Sequence, residues 1–251
     1  MKQILIVLVA LMIPLMYSCE EADEILENIG LTDAEIVAGL KQALSIGTDT
    51  AVNIVSAVDG YYKDELIKIL LPPEADIIVD NLDNPVLQGL GFDQMIEDVI
   101  FKINRAAEDA ATGAAPIFWD AITNMTISDG FDILHGEDTA ATHFLRENTY
   151  SGLQQLFLPV LQESLEKDIV AGVSAQETWS TLTDNYNVVA NSLIGQLAGL
   201  TPVNTDLSNW VTRKALDGLF VKVADEEIAI RNDFGHRVTE LLRRVFGSIG
   251  G

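Results

Sequence analysis

The chain has a single cysteine, Cys19, in 251 residues, and few bases: 15 Lys and Arg stand against 38 Asp and Glu, a formal charge of −23. One cysteine rules out an intramolecular disulfide and any cysteine-rich zinc or iron–sulfur centre, so the fold must rest on its apolar core. The shortage of Lys and Arg excludes a nucleic-acid binder, which needs cations to displace the counterions of a phosphate backbone. Catalytic signatures are missing as well. There is no Gly-x-Ser-x-Gly elbow, no glycine-rich phosphate loop and no His-Glu-x-x-His pair. The histidines are His135, His143 and His236. Asp132-x-x-His135 and Asp233-x-x-His236 pair an acid with an imidazole, but at expected helix ends rather than along bundle helices. No segment has calcium-loop spacing. The sequence therefore predicts no metal site, no cofactor and no catalytic residue. Aromatics make up 7% of the chain, and Trp119, Trp179, Trp210, Tyr61 and Tyr62 are read as core or loop packing.

What the chain does have is 48% hydrophobic and 21% charged residues, a globular composition. Lys2, the apolar run Ile4 to Ile13, Pro14 and a short polar stretch up to Cys19 have the layout of a secretory signal. The run is too short for a permanent span, which takes about twenty residues. Leu15-Met16-Tyr17-Ser18-Cys19 resembles a bacterial lipobox, which makes Cys19 the expected lipidation site. Removing residues 1–18, with one base and no acid, takes the charge from −23 to −24. From Cys19 to Leu40 there are acids and no bases, so residues 19–30 form an acidic tether that gains nothing from anionic lipid. The run Cys19-Glu20-Glu21-Ala22-Asp23-Glu24 also resembles the acidic export signal of some surface lipoproteins. The expected address is a lipid-anchored protein of the cell envelope, on the periplasm-facing outer membrane or the cell surface.

Residues 31–251 carry helical periodicity almost throughout. Thr32-Asp33-Ala34-Glu35 is a capping box opening one long amphipathic helix that Asp59-Gly60 stops. Residues 61–73 are ambiguous: a short apolar run ends in Pro72-Pro73, consistent with an extended connector. A short helix from Glu74 and a stripe from Phe92 to Ala110 follow, and Pro116 opens the next helix. A short capped helix over Thr126–Gly136 precedes a long helical pattern from about Glu137 to Lys167 that Pro159 is expected to kink. Ser174-Ala175-Gln176-Glu177 opens a helix to about Ser192, and a loop around 195–206 leads to a helix through Trp210 and Val223. A last helix carries Val238, Leu241, Leu242, Val245 and Phe246, with Arg243 and Arg244 in its final turn. With no repeat and no linker, the expected fold is all-α: one bundle-like domain of about seven to nine helices.

Five segments stand in order along the chain: Ile103-Asn104-Arg105-Ala106-Ala107-Glu108, Ile122-Thr123-Asn124-Met125-Thr126, Asp138-Thr139-Ala140-Ala141-Thr142, Lys214-Ala215-Leu216-Asp217-Gly218-Leu219-Phe220 and Arg243-Arg244-Val245-Phe246-Gly247. Together they resemble the uncharacterised bacterial family catalogued as domain of unknown function 4197. The resemblance runs over roughly residues 31–247 and implies an exported, mainly helical protein; it implies no activity.

The most informative polar cluster is Asn104-Arg105-Ala106-Ala107-Glu108-Asp109, set in an Ala- and Ile-rich helix. Arg105 is spaced to meet Glu108 and Asp109, while Asn104 and Glu108 share a face. It reads as a polar clamp between helices, with the base of a binding pocket as the alternative. Asp138, Thr142 and Arg146 repeat the spacing and are grouped with it. The functional expectation is a binding or structural component of the envelope with an unidentified protein or small-molecule partner. The alternatives are an enzyme with a cleft at Arg105 and Glu108, or a carrier of an apolar ligand between its helices.

Overall fold

The computed structural model describes residues 31–80, 92–167, 174–197 and 199–247. The expected signal segment and tether, Cys19, and the glycines at 89 and 91 lie outside the described residues. Within them the chain is all-α in a single domain, as its periodicity predicts, with no strand.

Helix α1 (Asp33–Ser56) begins on the predicted capping box: the Thr32 hydroxyl accepts from the Glu35 amide, and the Glu35 side chain accepts from the Thr32 amide. The chain leaves it through Asp59, whose φ of 72° is a left-handed conformation that a short polar side chain tolerates. Residues 61–67 form turns, and 68–72 run without regular structure to a 3-10 turn at Pro73–Ala75 and helix α2 (Asp76–Val79). This is the expected connector. Ile67, Ile69 and Leu71 are buried, whereas Leu66 and Leu70 are exposed, so the segment alternates like a strand without pairing to one.

Helices α3 (Phe92–Ala111), α4 (Ala115–Asn124), α5 (Ile127–Leu134) and α6 (Ala140–Glu166) follow. Pro116 is the second residue of α4, where its missing amide has no helical partner to lose. Thr126 and Asp129 form a reciprocal cap on α5. Helix α6 starts three residues later than the periodicity suggests and runs on through Pro159. Helix α7 (Ala175–Ala190) opens on Ser174, whose hydroxyl accepts from the Glu177 amide. A short helix α8 (Leu193–Leu197) occupies part of what reads as loop. Helix α9 (Leu207–Asn232), a 3-10 turn at Phe234–His236 and α10 (Glu240–Gly247) complete the described chain. Val238 precedes α10 and is exposed, a departure from the predicted last helix.

Helix α9 is central, packing on α1 and α6, while α3 lies against α6 and α7 and α1 also carries α4, α5 and α10. Close approach depends on small residues. A Cβ on Gly130 of α5 would fall 2.7 Å from Val37 Cγ2, and one on Gly39 of α1 would fall 2.9 Å from Val245 Cγ2. Tyr61, Phe118, Phe157 and Tyr186 are among the largest fully buried side chains. Trp179 is buried as expected, but Trp119 stands 63% exposed, so that part of the packing expectation fails. Among the described residues no helix is long and apolar enough to cross a membrane.

Candidate functional site

Helix α3 presents Asn104 and Glu108, both buried, to the connector. The Asn104 side chain donates to the Ile69 carbonyl (2.8 Å) and accepts from the Ile69 amide (2.9 Å), taking the place of a neighbouring strand. Glu108 Oε1 accepts from the Tyr61 and Tyr62 amides at 3.2 and 3.3 Å. Its Oε2 accepts from Arg105 Nη1 at 2.7 Å, and Arg105 Nη2 reaches Asp59. The guanidinium also lies over the rings of Phe101 and Tyr62, at 4.9 and 5.7 Å. Tyr61 passes beneath, its hydroxyl donating to the Ala215 carbonyl of α9 at 2.7 Å. Burial, and then the negative charge of Glu108, push its phenol pKa far above the ordinary value. Asp59 is held below the usual carboxylate range first by its bond to Lys63 and then by Arg105.

The predicted cluster is thus a clamp that fastens residues 59–72 to α3 and α9. Asp109 is not part of it: it accepts from Ser164 of α6 at 2.6 Å. Nor do Asp138, Thr142 and Arg146 join, and their grouping with Arg105 is corrected. Helical spacing puts them on one face of a sequence pattern, but that face meets α9 instead of the connector. Thr142 donates through its amide and its hydroxyl to Glu227 Oε2 (2.7 and 2.8 Å), and the Ala141 amide donates to Oε1 (2.9 Å). Glu227, buried in the C-terminal part of α9, therefore caps the N-terminus of α6 from another helix. It pairs with Arg231 at 2.9 Å, and Arg231 donates to the Ile133 carbonyl at the end of α5. Arg146 pairs with half-exposed Asp217 at 2.7 Å, over the rings of Tyr150 and Phe220. Asp138 lies exposed in the turn before α6.

The connector held by the clamp is one wall of a surface groove of about 390 Å³ whose other wall is α9. This volume is in the range of small-molecule sites. Leu66 (80% exposed), Leu70, Trp210 and Val221 give it an apolar lining. The Trp210 indole donates to the Leu70 carbonyl at 3.0 Å and ties the two walls. Its charged lining is Asp76, Asp217, Lys68, over the Tyr62 ring at 4.7 Å, and Lys214, over the Trp210 ring at 5.0 Å. Among the described residues neither lysine has a carboxylate at ion-pair distance. Gly218 lies against the connector here: a Cβ on it would fall 2.7 Å from the Tyr61 ring and 3.0 Å from Ile67. Sequence reading missed this groove. The available signal was the run Leu66 to Leu71, in which six consecutive residues, five of them apolar, cannot all face one core.

Two other concavities differ in kind. The apolar void between α1, α6 and α9 measures about 20 Å³, room for one water and not for an acyl chain. A cleft of about 310 Å³ beside Asp129, Asp132, Glu137, His143 and Glu147 is acidic, and no group of three metal-ligating side chains occurs among the described residues.

No curated protein and no solved structure matches the chain. The family described as protein of unknown function (DUF4197) has a model that matches residues 30–247 of the 251, and the chain belongs to that family.

Proposed function

We propose that this is a lipid-anchored binding protein of the cell envelope, whose groove between the connector and α9 takes a ligand with an apolar body and an anionic group. One observation carries the reading. Among the described residues two lysines in no ion pair, Lys68 and Lys214, line a ligand-sized groove together with Asp76 and with Asp217, whose charge is taken up by Arg146. An anion placed there gains both lysine charges, while its apolar part covers Leu66, Leu70 and Trp210. The Cys19 anchor would hold such a receptor at the membrane. The polar groups at Arg105 and Glu108 are already committed to the connector and line neither the groove, the void nor the acidic cleft. This favours binding over a cleft enzyme at that cluster. The small void likewise disfavours a ligand carried between the helices, and moves the apolar-ligand reading to the surface.

The test uses 11-(dansylamino)undecanoic acid, an anionic amphiphile, titrated into the protein with fluorescence as the readout. Saturable enhancement is expected, lost in the double variant Lys68→Glu, Lys214→Glu and kept in a variant at Lys167, a half-exposed lysine whose partner is Glu163. Saturable binding that survives the double reversal, or no binding at all, rejects the groove as the site.

A further inference from the structure

The hairpin between α7 and α9 carries a feature that the groove does not use. Between Asp184 and Asp206 lie twenty-one residues without one Asp, Glu, Lys or Arg, the longest uncharged stretch in a chain that is 21% charged. On this stretch Val188 (74%), Leu193 (76%), Ile194 (80%) and Leu197 (81%) stand almost fully exposed. They do not line the groove, the void or the acidic cleft. Val188 stands near the end of α7 and the other three on the short helix α8 at the turn of the hairpin.

Much of the hydrogen bonding of this tip stays within the hairpin, although Asn191 and Gln196 are exposed. The Ser192 hydroxyl accepts from the Gly195 amide (3.0 Å) and donates to the Val189 carbonyl (2.7 Å). The Gln196, Gly199 and Leu200 amides donate to the Ser192, Gln196 and Gly195 carbonyls. The Gln196 side chain donates to the Asn191 carbonyl, and the Asn187 side chain takes both the amide and the carbonyl of Val203. A segment that carries no charge, bonds much of its backbone internally and sets the exposed amides of Asn191 and Gln196 beside Leu193, Ile194 and Leu197 suits the interfacial layer of a bilayer, where hydrocarbon is buried while uncharged polar groups still meet water.

We infer that the 188–197 tip is a membrane-contact element, which seats Leu193, Ile194 and Leu197 in the interfacial layer of a bilayer and so sets the orientation of the body on the membrane. Its lack of acids is what permits this. Elsewhere a surface of net charge −24 without its leader is repelled by anionic lipid, so the tip is the part of the molecule that approaches without an electrostatic penalty. The inference does not depend on the groove or on lipidation of Cys19.

The test is co-sedimentation of residues 19–251 carrying Cys19→Ser, which removes any acyl anchor, with phosphatidylcholine vesicles. The chain is expected to bind, and the triple variant Leu193→Gln, Ile194→Gln, Leu197→Gln to bind at least about tenfold more weakly, since three apolar side chains lose their burial. Addition of phosphatidylglycerol should weaken binding and salt should restore it, because the body is acidic. All three substitutions are at highly exposed positions, so the helical circular dichroism and melting temperature should be unchanged. Absence of vesicle binding, equal binding of the triple variant, or binding that requires anionic lipid overturns the inference. So does lipid-free self-association of the parent chain that the triple variant abolishes, which would make the tip an interface between copies.

Discussion

Glu108 illustrates how one side chain sets the geometry of a surface it does not reach. It is 4% exposed and accepts from two connector amides and one guanidinium. Replacing it with alanine leaves Arg105 buried with only Asp59 as an acidic partner, and removes the acceptor for the Tyr61 and Tyr62 amides. Removing one partner of a buried pair costs about 3–5 kcal/mol. Glu108→Ala should therefore lower unfolding free energy in urea by that order, and weaken dansyl-fatty-acid binding because the groove wall loses its fastening. A loss near that of a surface pair, below about 1 kcal/mol, would mean that the clamp is better solvated than its burial implies. Gly218 works by absence: its missing Cβ is the space that the Tyr61 ring occupies. Gly218→Ala should push the ring or the connector outward, at a cost of about 1–3 kcal/mol in the same measurement.

Among the helices, ends are joined to ends. Helix α6 opens without a side-chain cap of its own at Thr139, and its first amides are satisfied by Glu227 from the C-terminal part of α9. The same carboxylate holds Arg231, which satisfies a carbonyl at the end of α5. One Glu–Arg pair thus joins three helices, and the favourable meeting of a carboxylate with a helix N-terminus adds to the bond energies. Glu227→Ala should destabilise the fold by about 3–5 kcal/mol, with hydrogen exchange accelerating first in residues 140–146. If exchange there is unchanged while global stability falls, Glu227 acts through packing and not as a cap. Thr32 and Thr126, by contrast, cap their own helices locally.

For the whole molecule the governing quantity is an excess of acid. Several carboxylates are held below their usual range by specific bonds. Asp64 is lowered chiefly by Lys222, and Asp59 by Lys63 and then Arg105. A carboxylate with a depressed folded pKa contributes stability that is complete above its unfolded value and is lost as pH falls through the folded one. Asp59 and Asp64 both anchor the connector, so it should open in acid. Glu226 works in the opposite sense: burial raises its pKa, so protonation there favours the folded state. General relief of negative charge on acidification also favours the compact state. The expected outcome is therefore local. Below about pH 4, amide exchange corrected for its intrinsic rate should rise in residues 59–72 before it rises in α6 and α9. Simultaneous loss of protection everywhere would show that these ion pairs do not control the connector.

The sequence by itself determined the fold class, the helix starts at Thr32, Thr126 and Ser174 and the stop at Asp59-Gly60, because caps, apolar periodicity and left-handed turns are local events. It also grouped Asn104, Arg105 and Glu108 at helical spacing, as a clamp between helices or the base of a pocket, since a guanidinium and an acid in an Ala- and Ile-rich face must pair if buried. What the clamp holds was not legible: Asp59, Tyr61 and Ile69 are more than thirty residues away, and only the path of the connector brings them to α3. The same holds for Thr142, whose partner Glu227 is 85 residues distant. The tertiary structure alone decided which apolar side chains were left outside. Leu66 and Leu70 came to line a groove and Leu193, Ile194 and Leu197 an uncharged tip, because exposure is fixed by what packs against a residue and not by its own hydrophobicity.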